Sequence, residues 1–490
     1  MNASAAAIAS PKRDVLIDRA SKQKPRTVDL LNDWQYLEQS IFRLIAAWGR
    51  DIADWDDKST LHRHIWDQAE CVRRLRERVE QFPGGKADAP VSDRLEKLAN
   101  AALLAPSLDD ALDGIYEILT KALVGAYGEY TSKVHPVHDA PTIALLHEIN
   151  QIKSQEWLWY RDYRRRYPHQ TDAAYRARVE AALADCGRLL SPLPVDEDHV
   201  ALPAGVATDF RLARFSARTG PLKPKQPFGE YVVADFATSV EARRLFWGFG
   251  YMMEKNLPDD QLKWIYYGHY MPWDWQHDIA RHLWDESRHG DSGYSRLRDF
   301  GITFEDVGFP GYDQAERDKA LPEIAKEKGI SLEEAYARQR ELLAPLRGEP
   351  MTRAEIYEHV FSIGLVAETG HFTVKHESYA DFKDGRDLES AEMMLFDIID
   401  ETAHVQYAHK WLPLLAKHAG VDCTGYRERG VKIREEYQAK ANERTAAGKK
   451  LPRTPGDPAF DFYQSLLARI RAVTPLANAA TCPVRSPKPM

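Results

Sequence analysis

One phrase, Asp-Glu-x-x-His, occurs twice and constrains this chain more than any bulk property. It reads Asp285-Glu286-Ser287-Arg288-His289 and again Asp400-Glu401-Thr402-Ala403-His404. Positions i and i+3 of a helix share a face, so each copy aims a carboxylate and an imidazole at one spot. Two such helices can build one metal site if two further helices each add a carboxylate. Glu254 and Glu368 are placed to do so.

Chain geometry selects those two. In an antiparallel helix pair, level partners are equally far from the turn. Glu368 and Glu401 have their midpoint between Asp384 and Gly385, inside a run of helix breakers. The midpoint of Glu254 and Glu286 is Tyr270, beside Gly268 and just before Pro272, which suits the start of a new helix. Glu241 is the alternative to Glu254, but its midpoint with Glu286 falls between Lys263 and Trp264, within a helical stretch.

The set Glu254, Glu286-x-x-His289, Glu368, Glu401-x-x-His404 resembles the ligand pattern of the ferritin-like di-iron carboxylate superfamily. The resemblance covers roughly residues 238–420. It implies a four-helix bundle holding two iron ions, or iron with manganese, that activate O2 to oxidise a small-molecule substrate. A reductase would supply electrons. With 34 glutamates and 17 histidines in 490 residues, about one Glu-x-x-His arises by chance, and three occur, counting Glu368-x-x-His371. Two copies preceded by Asp, each level with another Glu, are far more specific than one.

Neighbouring residues extend the expectation. Asp285 and Asp400 can accept the second N–H of a ligand imidazole and fix its tautomer, although adjacent helix positions point about 100° apart. His371 shares a face with Glu368 and is either a further ligand or a core histidine. Tyr251 and Tyr407 lie within two turns of ligands and are candidates for electron transfer. Gly364 and Gly370 flank Glu368, and a helix-interior glycine costs about 1 kcal/mol against alanine. Space is therefore needed there, for a close-packed helix or for substrate and O2. Carboxylates with imidazoles suit Fe or Mn rather than structural zinc.

The whole chain reads as all-α, with two tandem ferritin-like four-helix bundles of which the second carries the di-metal site. Residues 1–27, Ala- and Lys-rich, read as a disordered tail. Residues 28–167 carry helical stretches at roughly 29–51, 59–82, 108–131 and 141–166, with a crossover at 83–107. In the first, Trp34, Leu37, Ile41, Leu44, Ile45 and Trp48 recur at helical spacing. Glu38, Glu70, Glu117 and Glu148 sit near ligand levels, but Gln68-x-x-Cys71 and Glu148-x-x-Gln151 replace the motifs. This half reads as a degenerate, metal-free copy whose glutamates are ion-paired or at the surface, and His135-Pro136-Val137-His138 reads as a turn.

Residues 168–237 read as a linker with one helix at 171–189 and a short extended piece at Tyr231–Phe236. The second bundle, 238–420, carries a crossover insertion at 301–352, a candidate lid or interface. Its aromatic stretch from Tyr266 to Trp284 is expected to fill space between the bundles. Residues 421–490 read as a polar extension apart from a helix near Phe460–Val473.

Bulk properties set the remaining expectations. A net charge of −8 with 29% charged residues argues against nucleic acid or an anionic membrane as partner. There is no apolar run long enough for a transmembrane helix. Cys71, Cys186, Cys423 and Cys482 form no Cys-x-x-Cys and read as reduced thiols in a cytoplasmic protein, for which a homodimer is left open. Two alternatives to the oxidase remain open. One is a ferroxidase-like or scaffold protein that binds metal without organic chemistry, the other a helical interaction protein.

Overall fold

The structure, a computed structural model, describes residues 13–195, 203–207 and 209–473. Regular structure among them is helical, with one isolated antiparallel bridge between Ala213 and Arg347. None of the described helices is long and apolar enough to cross a membrane. Two compact units emerge: one from residues up to Trp48 together with His64–Phe210, the other from Gly49–Arg63 and from Arg211 onward.

The first unit is built on α1 (Arg13–Trp48), the part of α2 (Trp55–Glu80) from His64 onward, α3 (Asp93–Leu103), α4, α5 (Ala140–Arg166) and α6 (Ala173–Asp185). Helix α4 runs through Leu108–Leu112, a wide π-helical stretch Asp113–Thr120, and Lys121–Lys133. The helically spaced apolar face of α1 is the buried one: Trp34, Leu37, Ile41, Leu44, Ile45 and Trp48 all lie in the core. His135 is in a turn, its Nδ1 accepting from the backbone N–H groups of Val137 and His138 at 3.2 Å.

The second unit contains α7 (Gly229–Asp235), α8 (Val240–Glu254), α9 (Asn256–Tyr267), α10 (Trp273–Asp299), α11, α12 (Leu388–Ala419), α13 (Tyr426–Gly448) and α14 (Pro458–Val473). Helix α11 comprises Arg353–Phe361, a π-helical Ser362–Ala367 and Glu368–Asp384. Local chemistry sets the ends. Thr352 and Glu355 form a capping box at the start of α11, and the Asp387 carboxylate accepts the Ser390 N–H at the start of α12.

Helix α10 packs along α8 and α12, and α12 packs along α11. The α8–α10 contact is close because it is glycine-lined. A Cβ on Gly293 would overlap the backbone of Met252 and Gly248, and one on Gly248 would press on Leu297. Leu245, Met252 and Leu297 continue into a core with Tyr463, Leu466, Leu467 and Ile470 of α14.

Several expectations are corrected. Part of the expected tail is helical, since α1 begins at Arg13; alanine and lysine are good helix formers as well as common in disorder. Residues 1–12 lie outside the described set. The crossover at 83–107 contains α3, and the piece near Tyr231 is helical, not extended. The polar extension contains the long helix α13, which has no apolar stripe to announce it. The insertion holds four short helices, with Leu321, Leu342 and Leu343 packed on Phe215.

Candidate metal centre

Helices α10 and α12 each present three side chains at i, i+4 and i+7, and hence on one face. They are His282, Glu286 and His289 on α10, and Asp397, Glu401 and His404 on α12. Helix α8 ends on Glu254, and α11 contributes Glu368 at the exit of its π-helical stretch, with Lys375 two turns on. A wide turn shifts the register of the residues that follow it, and such turns recur at functional positions.

These side chains form three overlapping groups whose ligand atoms lie within 4.8 Å of one another: His282, Glu286, Glu368 and His404; Glu254, Glu286 and His289; and Glu254, Asp397 and Glu401. Glu286 joins the first two. Its Oε1 is 3.2 Å from His282 Nε2 and 3.4 Å from His404 Nδ1, while its Oε2 is 3.8 Å from His289 Nδ1. Glu368 Oε1 is 3.0 Å from His282 Nε2 and 3.3 Å from His404 Nδ1. On the other side, His289 Nδ1 is 3.3 Å from Glu254 Oε2 and 3.5 Å from Asp397 Oδ1.

Although close, these atoms make no proper hydrogen bonds. His282 Nε2, His289 Nδ1, His404 Nδ1, Glu254 Oε2, both Glu368 oxygens, Asp397 Oδ1 and Glu401 Oε2 are buried with no hydrogen-bond partner, their contacts with one another being ion-pair distances only. Leaving one such atom unsatisfied costs about 1–3 kcal/mol. Eight of them converge, and carboxylate with imidazole is a donor set that could hold divalent cations.

The outer nitrogens are satisfied by a reciprocal exchange. Asp285, which precedes Glu286, lies 3.3 Å from His404 Nε2, and Asp400, which precedes Glu401, lies 3.2 Å from His289 Nε2. Each phrase thus supplies the carboxylate that orients the other phrase's imidazole. With the proton on Nε2, the Nδ1 lone pair faces inward. Arg288 binds both aspartates and Arg281 brackets Asp285 at 2.8 Å, so the two carboxylates are held in place.

A buried lysine completes the cluster. Lys375 Nζ is 2.7 Å from Asp397 Oδ2 and also binds Glu401 Oε1, while the Tyr251 hydroxyl donates to Asp397 Oδ2 at 2.8 Å. Burial pushes the Glu254 carboxyl up to about 7. Burial opposes charge on Glu368 too, but His282 and His404 beside it hold it at about 2. For His289 and His404, burial works against the proton. Asp400 and Glu254 around the first, and Glu368 and Asp285 around the second, nevertheless hold both imidazoles well above the usual histidine range. Burial and the neighbouring Asp397 raise the Glu401 carboxyl as well, so a cation bound here would have to displace protons from the cluster.

All six expected ligands, Glu254, Glu286, His289, Glu368, Glu401 and His404, lie in these groups. His371 is exposed on α11 and belongs to none of them. Glu241 sits in the first turn of α8, 3.2 Å from Arg471. Tyr251 is buried with its ring 6.1 Å from that of His289, and the Tyr407 ring is 6.3 Å from that of His404. His282, Asp397 and Lys375 were not anticipated. The first two precede the glutamate of each phrase by one helical turn, a signal that a search ending at Asp-Glu-x-x-His overlooks.

Two spaces adjoin the cluster. A cleft of about 460 Å³ is lined by Tyr251, His289 and Asp397 together with Arg288, Ser292 and Phe396. On the far side, Trp264, Trp275, Trp411 and Tyr407 wall a small cavity against His282 and His404, so part of the aromatic stretch lines the cluster. The glycines next to Glu368 serve helix packing: a Cβ on Gly364 would overlap Ala408 of α12, and one on Gly370 would contact Arg434 of α13.

The first unit has a cluster of its own. Glu38 and Glu156 are buried with Lys153, whose Nζ is 2.5 Å from Glu38 and 3.7 Å from Glu156. Tyr127 donates to Glu38 at 2.9 Å, and Gln68 donates to both oxygens of Glu156 at 2.8 and 2.9 Å. Among the glutamates expected at ligand levels, only Glu38 is buried. Glu70 pairs with Arg73, Glu117 with Lys121 and Glu148 with Arg74. Cys71 and Cys186 are buried free thiols and Cys423 is a half-buried one; Cys482 lies outside the described residues.

No protein-family model, curated protein or solved structure matches this chain.

Proposed function

We propose that α8, α10, α11 and α12 form a ferritin-like four-helix bundle that holds two iron ions, or iron and manganese, and that the protein oxidises a small organic substrate with O2. The observation that carries this reading is the convergence of unpartnered, buried carboxylate and imidazole atoms in two groups sharing Glu286. Formal charge supports it. With every carboxylate ionised and every imidazole neutral, as bound cations would hold them, Glu254, Glu286, Glu368, Asp397 and Glu401 offset by Lys375 carry four negative charges, which two divalent cations would balance.

Reduced iron bound there would supply electrons to dioxygen, and an external reductase would restore them. The chain's own residues do the rest. Asp285 and Asp400 hold the protons on the outer nitrogens of His404 and His289. Tyr251, bonded to Asp397, is the tyrosine best connected for electron transfer. The cleft that reaches His289 and Asp397 admits the substrate, and the aromatic wall at His282 and His404 keeps water from the opposite side. The first unit is a metal-free relative of the same plan.

The test is metal content of the purified protein, followed by the optical spectrum as the anaerobic Fe(II) form meets O2. About two irons per chain with a transient oxygen-dependent band is the expected result. Iron uptake and accumulation of ferric ion with no organic product would point to a ferroxidase. Absence of bound metal even after reconstitution would leave a helical scaffold.

A further inference from the structure

We infer that Lys375 is a built-in cation at one of the two metal positions, so that the positions fill in order. The group His282, Glu286, Glu368 and His404 takes the first ion, and the group around Glu254 and His289 takes the second, more weakly. This rests on the proposed metal centre and adds to it an inequality between its halves.

The first group offers two imidazole nitrogens and two carboxylates, none bound to a lysine or arginine. The second group shares Glu286 and offers Glu254 and His289. The carboxylates that share Glu254 with it, Asp397 and Glu401, are each half-committed: one oxygen binds the Lys375 ammonium and the other has no hydrogen-bond partner. The ammonium thus takes ligand oxygens that a second metal would use, and it repels any dication placed beside it. Lys375 is enclosed by the helices. Its side chain is 1% exposed, with the Nζ 5.9 Å from the Trp247 ring centre and 5.3 Å from that of Tyr251. The first unit shows the same device taken to completion, with Lys153 between Glu38 and Glu156.

The test is anaerobic calorimetric titration of the full chain with Fe(II). Two steps at least about tenfold apart are expected, and Lys375→Met should tighten the second by at least about tenfold while leaving the first nearly unchanged. One undivided step, or a second step unchanged or weakened in Lys375→Met, would overturn the inference. A second measurement does not depend on the variant folding: crystals of the wild-type chain given one equivalent of Mn(II) and mapped by anomalous scattering. Density between His282 and His404 supports the order, and density first at His289 refutes it. Failure of both metals to bind at all would instead remove the proposed metal centre, and the order with it.

Discussion

Both units bury a lysine among helix-borne carboxylates, yet they do so to different ends. In the first unit the protein meets its own charges: Lys153, Gln68 and Tyr127 give Glu38 and Glu156 donors, and neither glutamate has an orphaned oxygen. In the second, Lys375 reaches one oxygen on each of two carboxylates and leaves eight inward-facing atoms without partners. The difference is one of donor supply. A carboxylate cluster with enough internal donors is a closed structural element, whereas one with too few is left open to a cation from outside.

The largest effect should come from His404→Ala. His404 Nδ1 faces Glu286 and Glu368 while its Nε2 meets Asp285, so its removal opens the first group and frees an outer aspartate. Loss of at least one of the two proposed metals is expected by atomic absorption, with helix content retained. Full metal retention would break the contrast between the units.

Next in size is Lys153→Met, which leaves Glu38 and Glu156 facing each other without a cation in a fully buried setting. Breaking such a pair costs about 3–5 kcal/mol. Chemical denaturation should show that loss, and metal content per folded chain should be unchanged. The wild-type unit should also depend on pH. Burial raises the Glu156 carboxyl from 4.5 to about 7. A carboxyl raised on folding favours the native state below its unfolded value, and that contribution is lost as pH rises through the folded value. Stability of the first unit should therefore fall by about 2 kcal/mol between pH 5 and 7. Glu156→Gln should flatten the slope; a slope that stays the same would assign the titration to another group.

The sequence showed much of the second cluster because its ligands obey helix periodicity. Chain turns at Gly385 and between Tyr267 and Trp273 fall where the midpoint argument put them, so Glu254 and Glu368 could be chosen without a structure. What it concealed has physical reasons. Lys375 lies two turns beyond Glu368 on the same face, but a lysine in sequence reads as a surface group because burial of one requires partners that spacing alone does not reveal. Gly364 signalled a need for space without saying that Ala408 fills it, and nothing in the residues of Ser362–Ala367 announces a π-helical register. In the first unit, level arithmetic selected Glu148 on α5, while the glutamate that α5 buries is Glu156, one helical turn from Lys153 and two turns from the chosen level.

That last displacement gives the smallest and most discriminating prediction. Glu148 has a side chain 60% exposed and meets Arg74 at 2.6 Å on the surface of the first unit. Exposed pairs of this kind contribute about 0–1 kcal/mol, since water solvates both partners nearly as well apart. Glu148→Ala should accordingly shift the denaturation midpoint little and leave metal content as in the wild type. Its value is as the counterpart of His404→Ala: the two residues occupy comparable places in a level-by-level reading of the chain, and only burial and donor supply separate them. Equal metal loss in both variants would mean that a cation binds in the first unit after all, and the distinction between a closed cluster and an open one would fail where it is easiest to measure.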